Sequence, residues 1–240
     1  MGNRERDLRN GFSVPPNYTL QQTIQAMLKP AWTWDFISND PFQYACINQD
    51  VPAESLVSFI NRQLTPDFSW SDAEWLLGEW GDRHSAIKGI VRPDDAVRAV
   101  SSGFDTVWIS NHGGRQMDCA PATVSVLPSI REAVGEDVPI ILDGGIQRGT
   151  DIAKAIALGA DGVGVGKPYL WGLAAGGTPG VIKSYDILKA ELERAMGLLG
   201  VRTIAELRAQ GPDLVKRRHS SARDYPDWLA RERGYGGGIV

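Results

Sequence analysis

The stretch Thr106-Val107-Trp108-Ile109-Ser110-Asn111-His112-Gly113-Gly114-Arg115 decides the fold. A strand from Thr106 to Ser110 runs straight into a polar, glycine-rich loop, so functional groups arrive at the strand's C-terminal end. The pattern repeats on both sides. Upstream, Ala86 to Val91 is a short apolar run containing Lys88. Downstream, Val138 to Leu142 ends in Asp143-Gly144-Gly145, and Gly162 to Val165 ends in Gly166-Lys167. Helical patterns fill the intervals, from Pro93 to Ser102, Ala122 to Val134, Thr150 to Leu158 and Pro179 to Leu199. Short apolar strands alternating with helices predict an α/β fold with a parallel sheet. Polar residues at the C-terminal ends of four successive strands predict a barrel, because a doubly wound sheet gathers its site at one switch point instead. A closed barrel takes about 250 residues and eight strands, whereas only residues 86–208 carry the pattern. The expected fold is the C-terminal half of a (β/α)8 TIM barrel, with four parallel strands and outer helices.

The flanks read differently. Residues 1–85 form a segment leading into the strands, with helices at Leu20–Leu28 and Ser71–Trp80 and a Trp-rich variable region at Leu28-Lys29-Pro30-Ala31-Trp32-Thr33-Trp34-Asp35-Phe36. Trp and Phe beside a lysine suit a membrane interface, but low positive charge favours a cap on the barrel or a subunit contact. Residues 209–240 read as an exposed arm. A net charge of -4 gives no bulk attraction to nucleic acid or acidic lipid. Cys46 and Cys119 form neither a metal motif nor a disulfide framework, and fit a reducing, cytoplasmic setting, with a peripheral place on the inner membrane face as the variant. The charged N-terminus is no signal peptide, and no run reaches the ~18 apolar residues of a membrane span.

Three groups carry chemistry. His112 can take a proton near neutral pH, and Arg115, three residues on, can fork a carboxylate in two parallel hydrogen bonds. Together they suit a substrate with an abstractable hydrogen beside a carboxylate. Read alone, the pair is a solvated polar loop; the other strand ends change that. The glycine-rich turns Asp143-Gly144-Gly145 and Gly166-Lys167 present backbone N–H groups and a cation to a phosphate. Lys88, costly in an apolar strand without an anionic or accepting neighbour, reads either as a cofactor contact or as a snorkelling side chain.

Ile87-Lys88-Gly89-Ile90, Ser110 to Asp118, Asp143 to Asp151 and Gly166-Lys167-Pro168 together resemble the FMN-dependent α-hydroxy-acid dehydrogenases and oxidases, which include flavin lactate dehydrogenase, mandelate dehydrogenase and glycolate oxidase. The opening Gly2 to Asn10 is similar to the family segment after the fourth barrel strand. The resemblance implies an enzyme that oxidises an L-2-hydroxy acid to the 2-oxo acid with FMN as cofactor. His112 is then the proton acceptor, and Arg115 and Arg4 hold the substrate carboxylate. Lys88 contacts the flavin ring near N1 and O2. Ser110, Asp143, Gly144, Gly145, Gln147, Arg148, Gly166 and Lys167 complete the cofactor site, with Asp143 through Lys167 around the ribityl phosphate. Gln147 and Lys167 stand where the family usually has arginine, which weakens the phosphate site. A relative of inosine-monophosphate dehydrogenase would suit Ala160 to Gly166, but needs a nucleophilic cysteine. Cys119 is its one candidate near a strand end, and the His-Gly-Gly-Arg segment argues against it.

The family's first half supplies strands one to four and an aspartate that orients the histidine, and no residue here matches that aspartate. The expectation is a fragment, one half of a split enzyme, or a catalytically impaired remnant acting as a partner chain. Apolar residues Ile87, Ile90, Val107, Ile109, Ile140, Leu142, Val163 and Val165 are expected to line an open inner face, so the chain should self-associate or pair with an N-terminal half.

Overall fold

The computed structural model describes Arg9 and residues 19–39, 67–117 and 119–215. Arg4, Cys46, Asp118 and the arm beyond 215 lie outside the described residues. Helix α1 (Leu20–Met27) starts at a capping box in which Thr19 and Gln22 satisfy each other's backbone N–H groups. Pro30, harmless where no donor is needed, opens α2 (Pro30–Ser38). The Thr33 hydroxyl donates to the Ala26 carbonyl at 2.6 Å and ties the two helices into a hairpin. No residue of either helix is buried.

Helix α3 (Trp70–Trp80) is capped by Ser69 and Asp72 and rests on α4 (Pro93–Ser101), with the Arg98 guanidinium 4.9 Å from the Trp70 ring centroid. Strands β1 (Ala86–Ile90), β2 (Thr106–Ile109), β3 (Ile140–Leu142) and β4 (Gly162–Val163) form one sheet in that order, all parallel. Helices α4, α5 (Thr123–Val134) and α6 (Gly149–Ala157) are the crossovers. These are the strands and helices read from the sequence, with bounds moved by a few residues. The helix expected from Pro179 begins earlier. Helix α7 runs Lys167–Leu199 with a break at Gly176 and Gly177, and its two legs cross where Gly172 and Gly180 lie backbone to backbone. Short helices α8 (Ile204–Ala209) and α9 (Gly211–Leu214) follow.

The register shows which face is buried, and here the expectation needs correcting. Val107, Ile109, Ile140 and Leu142 are wholly buried and cluster with Ile90, Ala96, Leu127, Ile130 and Ala155. These residues lie between sheet and helices. The opposite row, Lys88, Trp108, Ile141 and Gly162 paired in register, faces the side that would be a barrel's interior. Side chains alternate along a strand, so the apolar residues named from the sequence went to the helices. The inner face carries a lysine, a tryptophan, an isoleucine and a glycine instead, and continues into Ser110 and Asp143. It is much less apolar than expected. Among the described residues, no strand pairs with the outer edges of β1 and β4.

At the strands' N-terminal ends, Arg131 of α5 is buried and acts as a clamp. Its guanidinium donates to the carbonyls of Gly159, Gly135 and Val138 and to Asp161 Oδ2 at 2.6–2.9 Å. Asp161 also accepts from the Ile140 amide and pairs with Arg208. This network ties the starts of β3 and β4 to α5 and α8 and leaves the opposite rim free for chemistry.

Candidate active site

The C-terminal rim gathers residues from three strand ends. Lys88 Nζ lies 2.9 Å from Asp143 Oδ2 and donates to Ser110 Oγ at 2.9 Å. The Ser110 hydroxyl donates to Asp143 Oδ1 at 2.6 Å and accepts the His112 backbone N–H at 3.1 Å. The lysine in this strand is met by a carboxylate two strands away. Sequence reasoning missed Trp108, whose indole N–H donates to Asp143 Oδ2 at 3.1 Å. The signal was present: a tryptophan one register step below Ser110 on the inward row.

The His112 loop is shaped by short-range bonds. Asn111 caps the turn by accepting the Gly113 N–H, and its amide donates to the Pro121 carbonyl. His112 sits at φ 53°, a left-handed backbone that a histidine rarely adopts and that tends to mark functional loops. Its imidazole lies over Gly89, where a Cβ would come within 3.1 Å of His112 Cε1. Arg115 follows in the same loop, exposed, with no ion-pair partner among the described residues. No carboxylate among the described residues pairs with the imidazole.

Gly144 and Gly145 turn the chain after β3 at φ 90° and 97°. A Cβ on Gly144 would lie 2.7 Å from Asn111 Oδ1 and 3.2 Å from Thr123 Oγ1. The Thr123 hydroxyl donates to the Asp143 carbonyl at 2.6 Å, which ties this turn to the start of α5. Gly166 and Lys167 stand at the N-terminus of α7, whose dipole favours an anion. Arg148 is placed elsewhere: its guanidinium pairs with Glu191 of α7 at 2.8 Å, and the N–H groups of Gln147 and Arg148 are taken by Asp151. The glycine turns, Lys88 and the exposed Lys167 fit an anionic cofactor such as a flavin phosphate; the Arg148 side chain is not among the groups the rim offers it. Among the described residues no group of three or more His, Cys, Asp or Glu could hold a metal ion. Cys119, exposed at φ 62°, lies in the loop between Arg115 and α5.

Parallel βα units that deliver Lys88, Ser110, His112 and Asp143 to one rim define a segment of a (β/α)8-barrel enzyme. The sequence profile of the FMN-dependent dehydrogenases matches residues 1–215, and this chain belongs to that family. It is 38% identical over 221 residues to an L-lactate dehydrogenase of Vibrio cholerae, covering 90% of this chain and 57% of that protein. It is 41% identical over 210 residues to an L-lactate oxidase of Nostoc, covering 86% of this chain and 52% of that protein. The crystal structure of a monotopic membrane protein, (S)-mandelate dehydrogenase, superposes with a TM-score of 0.83 at 36% identity, over 89% of this chain and 56% of that one. The chain thus spans about half the length of the relatives it matches.

Proposed function

We propose that this chain supplies the cofactor- and proton-handling half of an FMN-dependent oxidation of an L-2-hydroxy acid, of the lactate, mandelate or glycolate type, to the 2-oxo acid. The observation that carries this is the rim itself: His112, strained and seated on Gly89, beside the Lys88–Ser110–Asp143 cluster. His112 takes the proton from the substrate α-carbon, or from its hydroxyl if the hydrogen leaves as hydride. Arg115, with Arg4 outside the described residues, forks the substrate carboxylate and so fixes which hydrogen faces His112. Lys88 places a positive charge against the flavin ring, while Gly144, Gly145, Gly166 and Lys167, with the Gln147 turn, surround its phosphate. When bound, FMN takes up the two electrons that the substrate loses.

His112 has no orienting carboxylate among the described residues, and such a partner is worth about 10⁴-fold where a histidine is the base. The reading is therefore an enzyme half whose inner face and two sheet edges are completed by an N-terminal barrel half or by a second copy. The exposed hairpin of α1 and α2 reads first as a cap on the completed barrel or a subunit contact, and second as a peripheral seat at the cytoplasmic face of a membrane. Leu20, Met27, Leu28, Trp32, Trp34, Phe36 and Ile37 are all solvent-facing, although no helix of the described residues is long and apolar enough to cross a bilayer.

The test is anaerobic bleaching of bound FMN by L-lactate and by mandelate. The chain alone should reduce flavin at a small fraction of a full-length relative's rate, or not at all. Addition of an N-terminal barrel half should raise the rate, and His112→Ala should abolish it. Fast reduction by the chain alone would sink the requirement for a second half, and an undiminished His112→Ala rate would sink the assignment of the base.

A further inference from the structure

The largest side chain on the inward row of the sheet is Trp108, which none of the roles above uses. It is the register partner of Lys88 on one side and of Ile141 on the other. Its indole N–H reaches Asp143 Oδ2, the oxygen that also meets Lys88 Nζ. Its ring lies under the same ammonium, with Nζ 5.6 Å from the centroid. Gly164 leaves the slot in which this happens: a Cβ there would stand 3.0 Å from Asp143 Cβ and 3.2 Å from Trp108 Cζ2.

The geometry points to Trp108 as a positioning residue that aims Lys88 at the rim by fixing the Asp143 carboxylate. This inference rests on the FMN-binding reading for its purpose, though not for its geometry. Asp143 receives Ser110 on Oδ1, and Lys88 and Trp108 on Oδ2. Two of those donors come from the short β2 and its end, and one is a long, flexible lysine. Without the indole, the carboxylate is held by one hydroxyl and by the side chain it is meant to position, so it can turn about its own bond and carry the ammonium with it. A lysine stem has several freely rotating bonds, and its head stays in one place only where its acceptor does. The indole supplies a rigid donor from a half-buried ring, and its face attracts the ammonium.

A phenylalanine keeps the ring and its packing but loses the N–H, so Trp108→Phe separates positioning from filling. The first readout needs no cofactor. Lys88 is labelled with an amine-acylating reagent across a pH series and its modification rate is read by peptide mass spectrometry. Asp143→Asn, which removes the counter-charge, should speed labelling of Lys88 about tenfold, and Trp108→Phe at least threefold, with labelling of Lys183 and Lys189 unchanged. Trp108→His, which restores a ring N–H, should fall between Phe and the parent, and it carries the test if the Phe variant does not fold. The second readout is FMN titration by flavin fluorescence, where Trp108→Phe should weaken binding about fivefold. If the parent chain binds no FMN, the flavin reading fails while the labelling still decides the role of Trp108. Equal Lys88 labelling in the parent and Trp108→Phe, with Asp143→Asn accelerated, would overturn the inference. So would an Asp143→Asn rate equal to the parent's.

Discussion

Replacing Arg131 by methionine removes the clamp at the foot of the sheet while keeping most of the aliphatic stem. Arg131 is only 6% exposed, and its guanidinium makes five hydrogen bonds, four of them to carbonyls (two to Gly159 and one each to Gly135 and Val138) and one to Asp161. Breaking a buried pair by deleting one partner costs about 3–5 kcal/mol. The lower end applies here, because Asp161 is a third exposed and keeps Arg208 and the Ile140 amide, and the Gly135 turn is open to water. The expected loss is about 3 kcal/mol, a large share of the ~5–15 kcal/mol that holds an ordinary domain together. Urea unfolding followed by circular dichroism should show the midpoint falling with little change in slope. The melting temperature should drop by about 6–12 °C at ~2–4 °C per kcal/mol for a chain of this size. A loss below about 1 kcal/mol would refute the argument that these acceptors depend on Arg131. Because the clamp sits at the end of the strands away from the rim, the folded variant should retain its His112 and Lys88 geometry.

Three further outcomes follow from the structure. Burial opposes ionisation of Asp161, but the Ile140 amide, Arg208 and Arg131 outweigh it and hold the carboxyl below its ordinary value of 3.8; the Gly149 amide chiefly, with Arg148, does the same for Glu191. A depressed folded value means the stabilisation is complete above the unfolded value and is lost as pH falls through the folded one, so stability should decline on the acid side below about pH 4, and Asp161→Asn should flatten that limb in acid titrations. Gly144→Ala places a Cβ 2.7 Å from Asn111 Oδ1 on a backbone at φ 90°, so it should cost about 2 kcal/mol and weaken FMN binding, read by melting and by flavin fluorescence. Two sheet edges without a strand partner among the described residues predict self-association at micromolar concentration by light scattering, and a clean monomer that binds no hydrophobic dye would show that other parts of the chain close the sheet.

The strand–helix alternation, the parallel sheet, the rim and the family were legible in the sequence. Each rests on local patterns: apolar runs of four or five residues, capping and glycine punctuation, and the contiguous Ser110-to-Arg115 and Asp143-to-Gly145 signatures. What a pattern of period two cannot tell is which of its two faces points inward, because both faces of a covered parallel strand are apolar enough to qualify. Only the packed helices decided that Val107, Ile109, Ile140 and Leu142 turn outward and that Trp108 and Lys88 turn in. The same holds for pairings between distant residues. That Lys88 meets Asp143 across 55 positions, that Arg148 is drawn away to Glu191, and that Arg131 binds the foot of two strands depend on three-dimensional proximity, which chain spacing does not encode.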